Sequence, residues 1–399
     1  MTGPAGAPGA GCAAFLPRAR PAGSPGARAG RNRAKLEQAA AGRPGDNPPE
    51  LIEADSGDPA SLTALAARTR ALASTVGPYM QYGEPLVRAC VEQGTHYCDL
   101  TGEPEFVNTL LSRYHEAAQA SGCALVNCCG FDSIPHDAGV LFAIRELTLE
   151  NGGKLDGPVT AEGAVAFSAK FSGGTWRSAL EAFARPGANQ RSQREAQARL
   201  KQWYPRKVSG LTLKPHKDEA LGGWLAPMPT IDPMVVMRSA RALDDYGPEF
   251  RYGHYLVTGG LGKLIGGAAG VGGLVLAAQI GPLRRRLMKL NPAGQGTDGA
   301  TRARSWFQVK VRARCGDSEV LCRVSGGDPG YDETAKMLSE TLMGLALDEG
   351  YPQPTGVVPP LMALGDSLID RLEPAGMLSR PNVGIHRQNT PATTPPGRA

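Results

Sequence analysis

Between residues 50 and 150 the chain alternates short apolar runs with longer amphipathic ones, and this alternation limits the possible fold more than any other feature. Apolar runs predict four strands, at residues 51–55, 71–76, 96–100 and 123–128. A helical pattern follows each of them, and Pro59 suits the first position of one such helix. Strands separated by helices predict βαβ units, and therefore an α/β fold with a Rossmann-like, doubly wound parallel sheet.

The pattern changes near residue 150. Apolar and polar residues alternate over 159–170, as in a half-exposed strand. Residues 306–314 and 318–324 predict a hairpin, and residues 332–347 predict an amphipathic helix. We therefore predict a first domain over 29–150 and a second α/β domain, with a mixed or antiparallel sheet, over 151–375. Residues 1–28 are mostly Ala, Gly, Pro and Arg and predict a disordered leader, and residues 387–399 predict a disordered tail.

Residues that suit a dinucleotide follow the predicted strands. Arg31 comes at the end of a short strand, where a carboxylate would bind the ribose of NAD and an arginine accommodates the 2′-phosphate of NADP. Asp55 either contacts the adenine or only turns the chain. Gly77, Pro78 and Tyr79 end the next strand, where a nicotinamide ribose would lie, and Gly77 allows close approach of the backbone. These residues predict NADP(H) as the cofactor.

The Gly-rich phosphate loop of such a fold is degraded. Residues 9–14 fit Gly-x-Gly-x-x-Ala, but the residues before them are too few and too small for a buried strand. Pro17 and Pro21 would interrupt the helix that should follow. We interpret the match as chance, and one hypothesis is that an upstream frameshift or a wrong start replaced the first strand and its loop.

Ionisable side chains after the predicted strands are candidates for proton transfer beside a hydride transfer. Tyr79, Asp132 and His136 are the candidate proton donors. Glu103 and Thr175 are candidates for the substrate side of the cleft. Simpler interpretations remain open, because Asp132 can cap a helix and a histidine without an identified partner is commonly on the surface.

Several motifs together resemble the saccharopine dehydrogenase-like oxidoreductases. They are Val76-Gly77-Pro78-Tyr79, Tyr82-Gly83-Glu84-Pro85, Asp99-Leu100-Thr101-Gly102-Glu103 and Gly130-Phe131-Asp132-Ser133-Ile134-Pro135. The sequence is most similar to the bacterial trans-acting enoyl reductase branch. That resemblance implies an NADP-binding domain, a second domain over the cofactor cleft, and reduction of a C=C bond in a polyketide or lipid intermediate. It implies an acyl substrate carried on a synthase, in lipid biosynthesis of the phthiocerol and phenolic glycolipid type.

Two other functions fit the same motifs. A saccharopine dehydrogenase-type amine oxidoreductase would act on a substrate with several carboxylates, for which Arg177 and Arg238 are the candidate partners. A non-catalytic, lipid-associated family member that has lost cofactor binding would explain the degraded phosphate loop.

Charge and cysteine content indicate which classes of partner and which cellular compartment suit the chain. A net charge of +5 from 43 basic and 38 acidic residues does not suggest a nucleic-acid binder, and eight cysteines without a CxxC pair suggest a reducing cytosol without a metal site. Residues 264–283 carry no charge and are followed by three arginines, which predicts an apolar helix over 261–286. That helix is either buried or at an interface, in peripheral contact with a plasma membrane or lipid droplet, or a membrane span. A homodimer also remains possible.

Overall fold

The structure is a computed structural model that describes residues 26–40, 48–169, 173–291, 298–351, 353–377 and 384–385. The predicted leader up to residue 25, with its Gly-x-Gly-x-x-Ala match, and the predicted tail lie outside these residues. In the first part of the chain the elements are β1 (Ala27–Gly30), α1 (Arg33–Ala40), β2 (Glu50–Glu53), α2 (Pro59–Ala66), β3 (Ala71–Ser74), α3 (Tyr79–Tyr82), α4 (Glu84–Gln93), β4 (His96–Asp99), α5 (Pro104–Ala120), β5 (Ala124–Val126) and α6 (Ile134–Glu150).

Local sequence sets several of these boundaries. Asp58 accepts the backbone N–H of Ala60 and caps α2, and Pro59 occupies the first turn as predicted. Gly94 ends α4 with a φ of 67°, in the left-handed region that glycine adopts without strain. The helices therefore start and stop where their own residues direct, before any tertiary contact is considered.

After α6 the chain forms β6 (Val159–Ser168), α7 (Gly173–Ala184), α8 (Pro186–Trp203), β7 (Lys207–Gly210), β8 (His216–Asp218), β9 (Gly223–Pro227), α9 (Asp232–Ala242), β10 (Glu249–Thr258), α10 (Leu261–Gln279), α11 (Gly281–Leu290), α12 (Gly299–Arg304), β11 (Trp306–Cys315), β12 (Ser318–Gly326), α13 (Asp332–Leu347), β13 (Gly356–Val358), α14 (Pro360–Leu372) and β14 (Gly384–Ile385). A single 3₁₀ turn, Asp244–Tyr246, precedes β10.

The first sheet is parallel. Its strands run in the order β13-β5-β4-β3, and β1 and β2 form a further parallel pair. Helices α4 and α5 contact these strands, as does α13 from late in the chain. This arrangement confirms the predicted α/β class with a parallel sheet.

The second sheet is mixed and has eight strands. Its order is β14-β12-β11-β6-β10-β9-β8, with β7 also paired to β10. Helix α6 packs on β11 and β12, and its buried side chains join the largest hydrophobic core of the described residues. Gly139 permits this close packing, because a Cβ there would lie 3.2 Å from a methyl group of Val311. The predicted hairpin is β11 and β12, paired from Cys315 and Ser318 outwards.

Three predicted boundaries need correction. The division at residue 150 does not describe the first sheet, because β13 pairs with β5 and therefore returns residues 356–358 to it. The predicted leader ends too late, since β1 already begins at Ala27. The apolar helix predicted over 261–286 is two helices, because Ile280 is extended and separates α10 from α11.

Candidate functional site

The loops after β3, β4 and β5 lie at one edge of the first sheet because these strands are parallel. Glu103, in the loop after β4, connects them to the rest of the molecule. Its carboxylate accepts the backbone N–H of Tyr79 at 3.0 Å and of Met80 at 2.9 Å. It also accepts the hydroxyl of Ser178, on α7, at 2.9 Å. Glu103 thus joins the carboxyl edge of the first sheet to a helix that follows the second sheet's first strand.

A cavity of about 370 Å³ lies beside Glu103. It is lined by Pro78, Met80, Gln81, Glu103, Pro104, Glu105, Ser178, Glu181, Ala182, Arg185 and Asn189. Its volume is at the lower end of the range for small-molecule sites. Three carboxylates line it, and Arg185 is already paired with Glu105 at 2.8 Å. This lining does not suit a phosphate group, so a dinucleotide's phosphates would need other residues.

Tyr79, predicted both to bind cofactor and to donate a proton, is buried. Its hydroxyl donates to the carbonyl of Ser74 at 3.0 Å and accepts the backbone N–H of Leu100 at 3.2 Å. Burial raises the pKa of the Tyr79 hydroxyl well above its usual value. The side chain therefore ties the ends of β3 and β4 together, and its predicted catalytic role remains a prediction. Gly77 is exposed next to it, and Pro78 lines the cavity.

A fully buried carboxyl, Asp99, organises the loop after β5. Asp99 accepts the side-chain amide of Asn127 at 2.8 Å and the backbone N–H of Cys128 at 3.2 Å. Burial raises the pKa of Asp99 to about 6. Cys128 has a φ of 66°, which is uncommon for a residue other than glycine and indicates backbone strain. The hydrogen bonds from Asp99 hold this strained turn, which leads to Asp132.

Asp132 is partly exposed at the same edge of the sheet. A Cβ added to Gly102 would lie 3.9 Å from its carboxylate, so the loops after β4 and β5 meet here. Burial of the carboxyl group and the negative charge of Asp232 raise the pKa of Asp132 to about 6, while His136 acts in the opposite direction. The residue at the N-cap of α6 is Ser133, without a side-chain capping hydrogen bond. Asp132 is thus a carboxyl that can be protonated near neutral pH.

His136 lies behind Asp132 and is 1 % exposed, so the expectation of a surface histidine is wrong. Its Nδ1 lies 2.8 Å from Oδ1 of Asp232, as an ion pair rather than an aligned hydrogen bond. Burial alone would lower the pKa of His136, but the charges of Asp232 and Asp132 raise it. The two neighbouring carboxylates therefore favour the protonated form of His136.

The polar chain continues into the second sheet. Nε2 of His254, on β10, lies 3.6 Å from Oδ2 of Asp232, and the hydroxyl of Thr230 donates to the same oxygen. Burial lowers the pKa of His254 to about 4, so this histidine is neutral. Its Nδ1 is 3.0 Å from the hydroxyl of Tyr252. Asp232 thus lies between two buried histidines, one with a raised pKa and one with a lowered pKa.

Three of these side chains are close enough to be considered as metal ligands. Ligand atoms of His136, Asp232 and His254 all lie within 4.8 Å of one another. However, two ligands of one tetrahedral zinc ion are about 3.3 Å apart when each bond is near 2.0 Å. The 2.8 Å contact between His136 and Asp232 is shorter than that and is the distance of a direct ion pair. We therefore assign the cluster to ion pairing.

Gly163 on β6 makes room for this cluster. A Cβ there would lie 2.3 Å from the hydroxyl of Tyr252. We expect Gly163→Ala to lower the free energy of unfolding of the full chain by about 1–3 kcal/mol, because the ring must move out of a packed core. Denaturant unfolding measures this. Tyr252→Phe removes the clashing atom, so adding it to Gly163→Ala should restore most of the loss. Additive losses in the double variant would contradict the proposed clash.

The structure separates the predicted adenosine-side residues from the cavity residues. Arg31 and Asp55 follow β1 and β2, and both are exposed. The N–H of Ala54 donates to the carbonyl of Gly30, so these two strand ends are adjacent. The carboxylate of Asp55 accepts the N–H of Gly57 at 2.9 Å and thus turns the chain, one of its two predicted roles. The side chain of Thr175 lies outside the described residues.

Sequence reasoning missed several participants in this site. Ser178, Asp232, Tyr252 and His254 belong to no motif that we recognised, and each reaches the site from a distant part of the chain. Asp99 was visible as a polar residue at a strand end, but its bonds to Asn127 and Cys128 depend on the pairing of β4 with β5. No local signal indicates these long-range partners.

The fold of this chain resembles that of a solved dehydrogenase. The structure is similar to apo saccharopine dehydrogenase (L-Glu forming) from Saccharomyces cerevisiae, with a TM-score of 0.52 and 12% identity, over 94% of this chain and 97% of that one. At this identity the likeness concerns the fold alone, and it agrees with the Rossmann-type arrangement predicted from the motifs. No protein-family model matches the sequence.

Curated relatives identify the family. The chain is 34% identical to a Mycobacterium tuberculosis protein provisionally named a trans-acting enoyl reductase, over 82% of this chain and 83% of the relative. It is 32% identical to the trans-acting enoyl reductase of Mycobacterium bovis BCG, and 30% identical to that of Mycobacterium ulcerans, each over 82% of this chain and 84% of the relative. The chain belongs to the trans-acting enoyl reductase family of oxidoreductases, within the saccharopine dehydrogenase-like fold. The predicted resemblance is confirmed.

Proposed function

We propose that this protein is an NADPH-dependent enoyl reductase that reduces a C=C bond in an acyl intermediate carried on a polyketide synthase. The names of its relatives support the reaction class. The observation that carries the proposal is the position of Asp132, a partly exposed residue whose carboxyl pKa is raised to about 6, at the same sheet edge as Gly77 and Pro78. The lipid would be of the phthiocerol and phenolic glycolipid type.

The described residues fit two parts of the cofactor. Arg31 is exposed at the end of β1, where its guanidinium can donate hydrogen bonds to the 2′-phosphate of NADP, and Asp55 is adjacent at the end of β2. Gly77 and Pro78 present an open backbone edge at the end of β3, since a Cβ on Gly77 would contact only the Tyr79 ring. When bound, the reduced nicotinamide supplies the hydride, which in an enoyl substrate adds to the carbon β to the carbonyl.

Asp132 is the group that we assign to proton delivery. Hydride addition leaves an enolate, whose α carbon must take a proton to complete the reduction. A carboxyl with a pKa of about 6 is largely protonated below that pH and still an effective acid near neutrality. His136 is too buried to reach a substrate, so we assign it to positioning Asp132 and setting its charge. Glu103 holds α7 and the first turn of α3 beside the cavity.

The amine oxidoreductase alternative fits the cavity less well. A substrate with several carboxylates would meet Glu103, Glu105 and Glu181 in the lining. Arg238, one of the two candidate partners, is buried and donates to the carbonyl of Val357 at 2.7 Å, on the strand β13. Repulsion between like charges in a partly desolvated cavity is costly, so an acyl thioester suits the site better.

Nucleotide binding tests the proposal. We expect NADPH to bind the full chain more tightly than NADH, and Arg31→Ala to weaken NADPH binding about 10- to 100-fold, because a charge-assisted phosphate contact is lost. NADH binding should not change. Arg191→Ala, an exposed arginine on α8, is the matched control. Fluorescence titration measures all six combinations of protein and nucleotide.

Two outcomes would count against this assignment. Equal affinity for NADPH and NADH, unaffected by Arg31→Ala, would remove the NADP preference. Failure of either nucleotide to bind would favour the non-catalytic, lipid-associated alternative.

A further inference from the structure

Helices α10 and α11 expose most of the large apolar side chains on the described surface. Of the eleven exposed large hydrophobic residues, seven lie between residues 261 and 290. They are Leu261, Ile265, Val271, Leu276, Ile280, Leu283 and Leu290, each between 38% and 74% exposed. Among the described helices, α10 alone is long and apolar enough to cross a membrane. Its most apolar 18 residues have a mean hydropathy of 1.6, and 11% of them are buried. An apolar patch of this extent marks an interaction surface.

Helix α10 is poorly suited to stand in water. It contains six glycines in 19 residues, and each costs about 1 kcal/mol relative to alanine in a helix. Only Leu264 and Ala278 are buried, so tertiary packing compensates little of this cost. Hydrocarbon, in contrast, favours helix, because unpaired backbone groups cannot be hydrated there. A lipid surface would therefore stabilise α10 without requiring a shaped groove.

The charges beside this patch indicate the kind of lipid. Residues 261–290 contain five basic residues, Lys263, Arg284, Arg285, Arg286 and Lys289, and no acidic residue. Arg285, Arg286 and Lys289 are exposed on α11. Such a segment is attracted to anionic headgroups. A second copy of the chain is a less suitable partner for this face, because it would bring two basic segments together.

We propose that α10 and α11 dock this protein peripherally on an anionic membrane surface. The helices lie along the surface rather than across it, because α10 packs on α7, β9 and β10, and α11 folds back onto α7. The indole N–H of Trp176, on α7, donates to the carbonyl of Leu287 at 2.8 Å and holds that return. A span would require α10 to detach from these contacts.

Docking would bring the cavity close to the lipid. Ser178, Glu181 and Ala182 of α7 line the cavity, and α7 also carries α10 and α11. A helix with its side chains is about 10 Å across, so the cavity would lie roughly one helix diameter from the membrane. This consequence rests on the proposed function, since it gives a long acyl chain a short path to the site. The docking itself does not depend on it.

Vesicle cosedimentation of the full chain tests the docking without any turnover. We expect binding to vesicles of phosphatidylcholine mixed with phosphatidylglycerol, much weaker binding to phosphatidylcholine alone, and release by high salt. The variant Arg285→Glu/Arg286→Glu/Lys289→Glu should bind on the order of 100-fold more weakly, since each basic side chain near an anionic surface contributes about a factor of five. Ile265→Asp/Leu276→Asp should also lose binding, because it places charge on the apolar face.

Matched controls separate docking from general effects of charge. Arg191→Glu/Arg194→Glu on α8 and Leu149→Asp on α6 change equally exposed positions elsewhere and should bind as the wild type does. All substituted positions are exposed, and thermal unfolding followed by circular dichroism verifies folding. Equal binding to charged and uncharged vesicles would overturn the proposal. So would binding that alkaline carbonate does not release, or undiminished binding of Arg285→Glu/Arg286→Glu/Lys289→Glu. A lipid-free dimer abolished by Ile265→Asp/Leu276→Asp would also overturn it.

Discussion

Asp132→Asn is expected to lower the turnover of an enoyl substrate by about 10²- to 10⁴-fold, the usual contribution of a positioned general acid. Asparagine keeps the size and polarity of the side chain but cannot deliver the proton to the α carbon. The affinity for NADPH should change little, because we assign Asp132 to the substrate and not to the cofactor. Stopped-flow measurement of NADPH oxidation, with binding titrated separately, distinguishes the two effects.

The pH dependence of turnover gives a second check on Asp132. Its carboxyl must be protonated to act, and burial raises its pKa to about 6, so wild-type turnover should fall as the pH rises above that value. The residual turnover of Asp132→Asn should lack this dependence. Asp317→Asn, in the exposed turn between β11 and β12, serves as a control. Full activity in Asp132→Asn would remove the residue from the reaction.

Asp137→Asn is expected to stabilise the protein at alkaline pH. Asp137 is 1 % exposed, its Oδ2 accepts the hydroxyl of Ser239 at 2.6 Å, and its Oδ1 has no hydrogen-bond donor among the described residues. Burial raises its pKa to about 7. The folded state therefore binds this proton more tightly than the unfolded state does, and stability is lost as the pH rises from about 4 through 7.

The size of this effect follows from the pKa difference. A carboxyl with a pKa of about 7 when folded and about 3.8 when unfolded costs as much as about 4 kcal/mol once ionised. Asparagine retains an acceptor for Ser239 without the charge. Urea unfolding of both proteins between pH 4 and pH 8 should show their difference growing with pH in favour of the variant. Curves that stay parallel would mean that the carboxyl of Asp137 has the same pKa in the folded and unfolded proteins.

Much of the first sheet was predictable because its signals are local. The strands β2 to β5 are short apolar runs, and the helices between them begin at residues such as Asp58 and Pro59 that satisfy their own first turn. Parallel pairing then follows because each connection is long enough to contain a helix and return the chain to the same end of the sheet. The placement of Gly77, Glu103 and Asp132 at one edge required only the rule that parallel strands end together.

The late return of the chain was not predictable in this way. β13 is three residues long and pairs with β5, and nothing in its own sequence indicates that partner. Helix α14 begins at Pro360 and is kinked at Gly365, where the backbone has a non-helical φ of 51°. Such short elements are selected by the vacant edge of a sheet, which exists only after the other strands have assembled.

The sequence by itself determined the alternation of strands and helices, the residues at the strand ends and the family. Each of these depends on periodicity or on motifs of adjacent residues. The tertiary structure alone decided that His136 is buried against Asp232, that both residues act on the pKa of Asp132, and that α10 stays uncovered. The physical reason is range: a pKa or an exposed face depends on groups brought together from distant parts of the chain, and only folding brings them together.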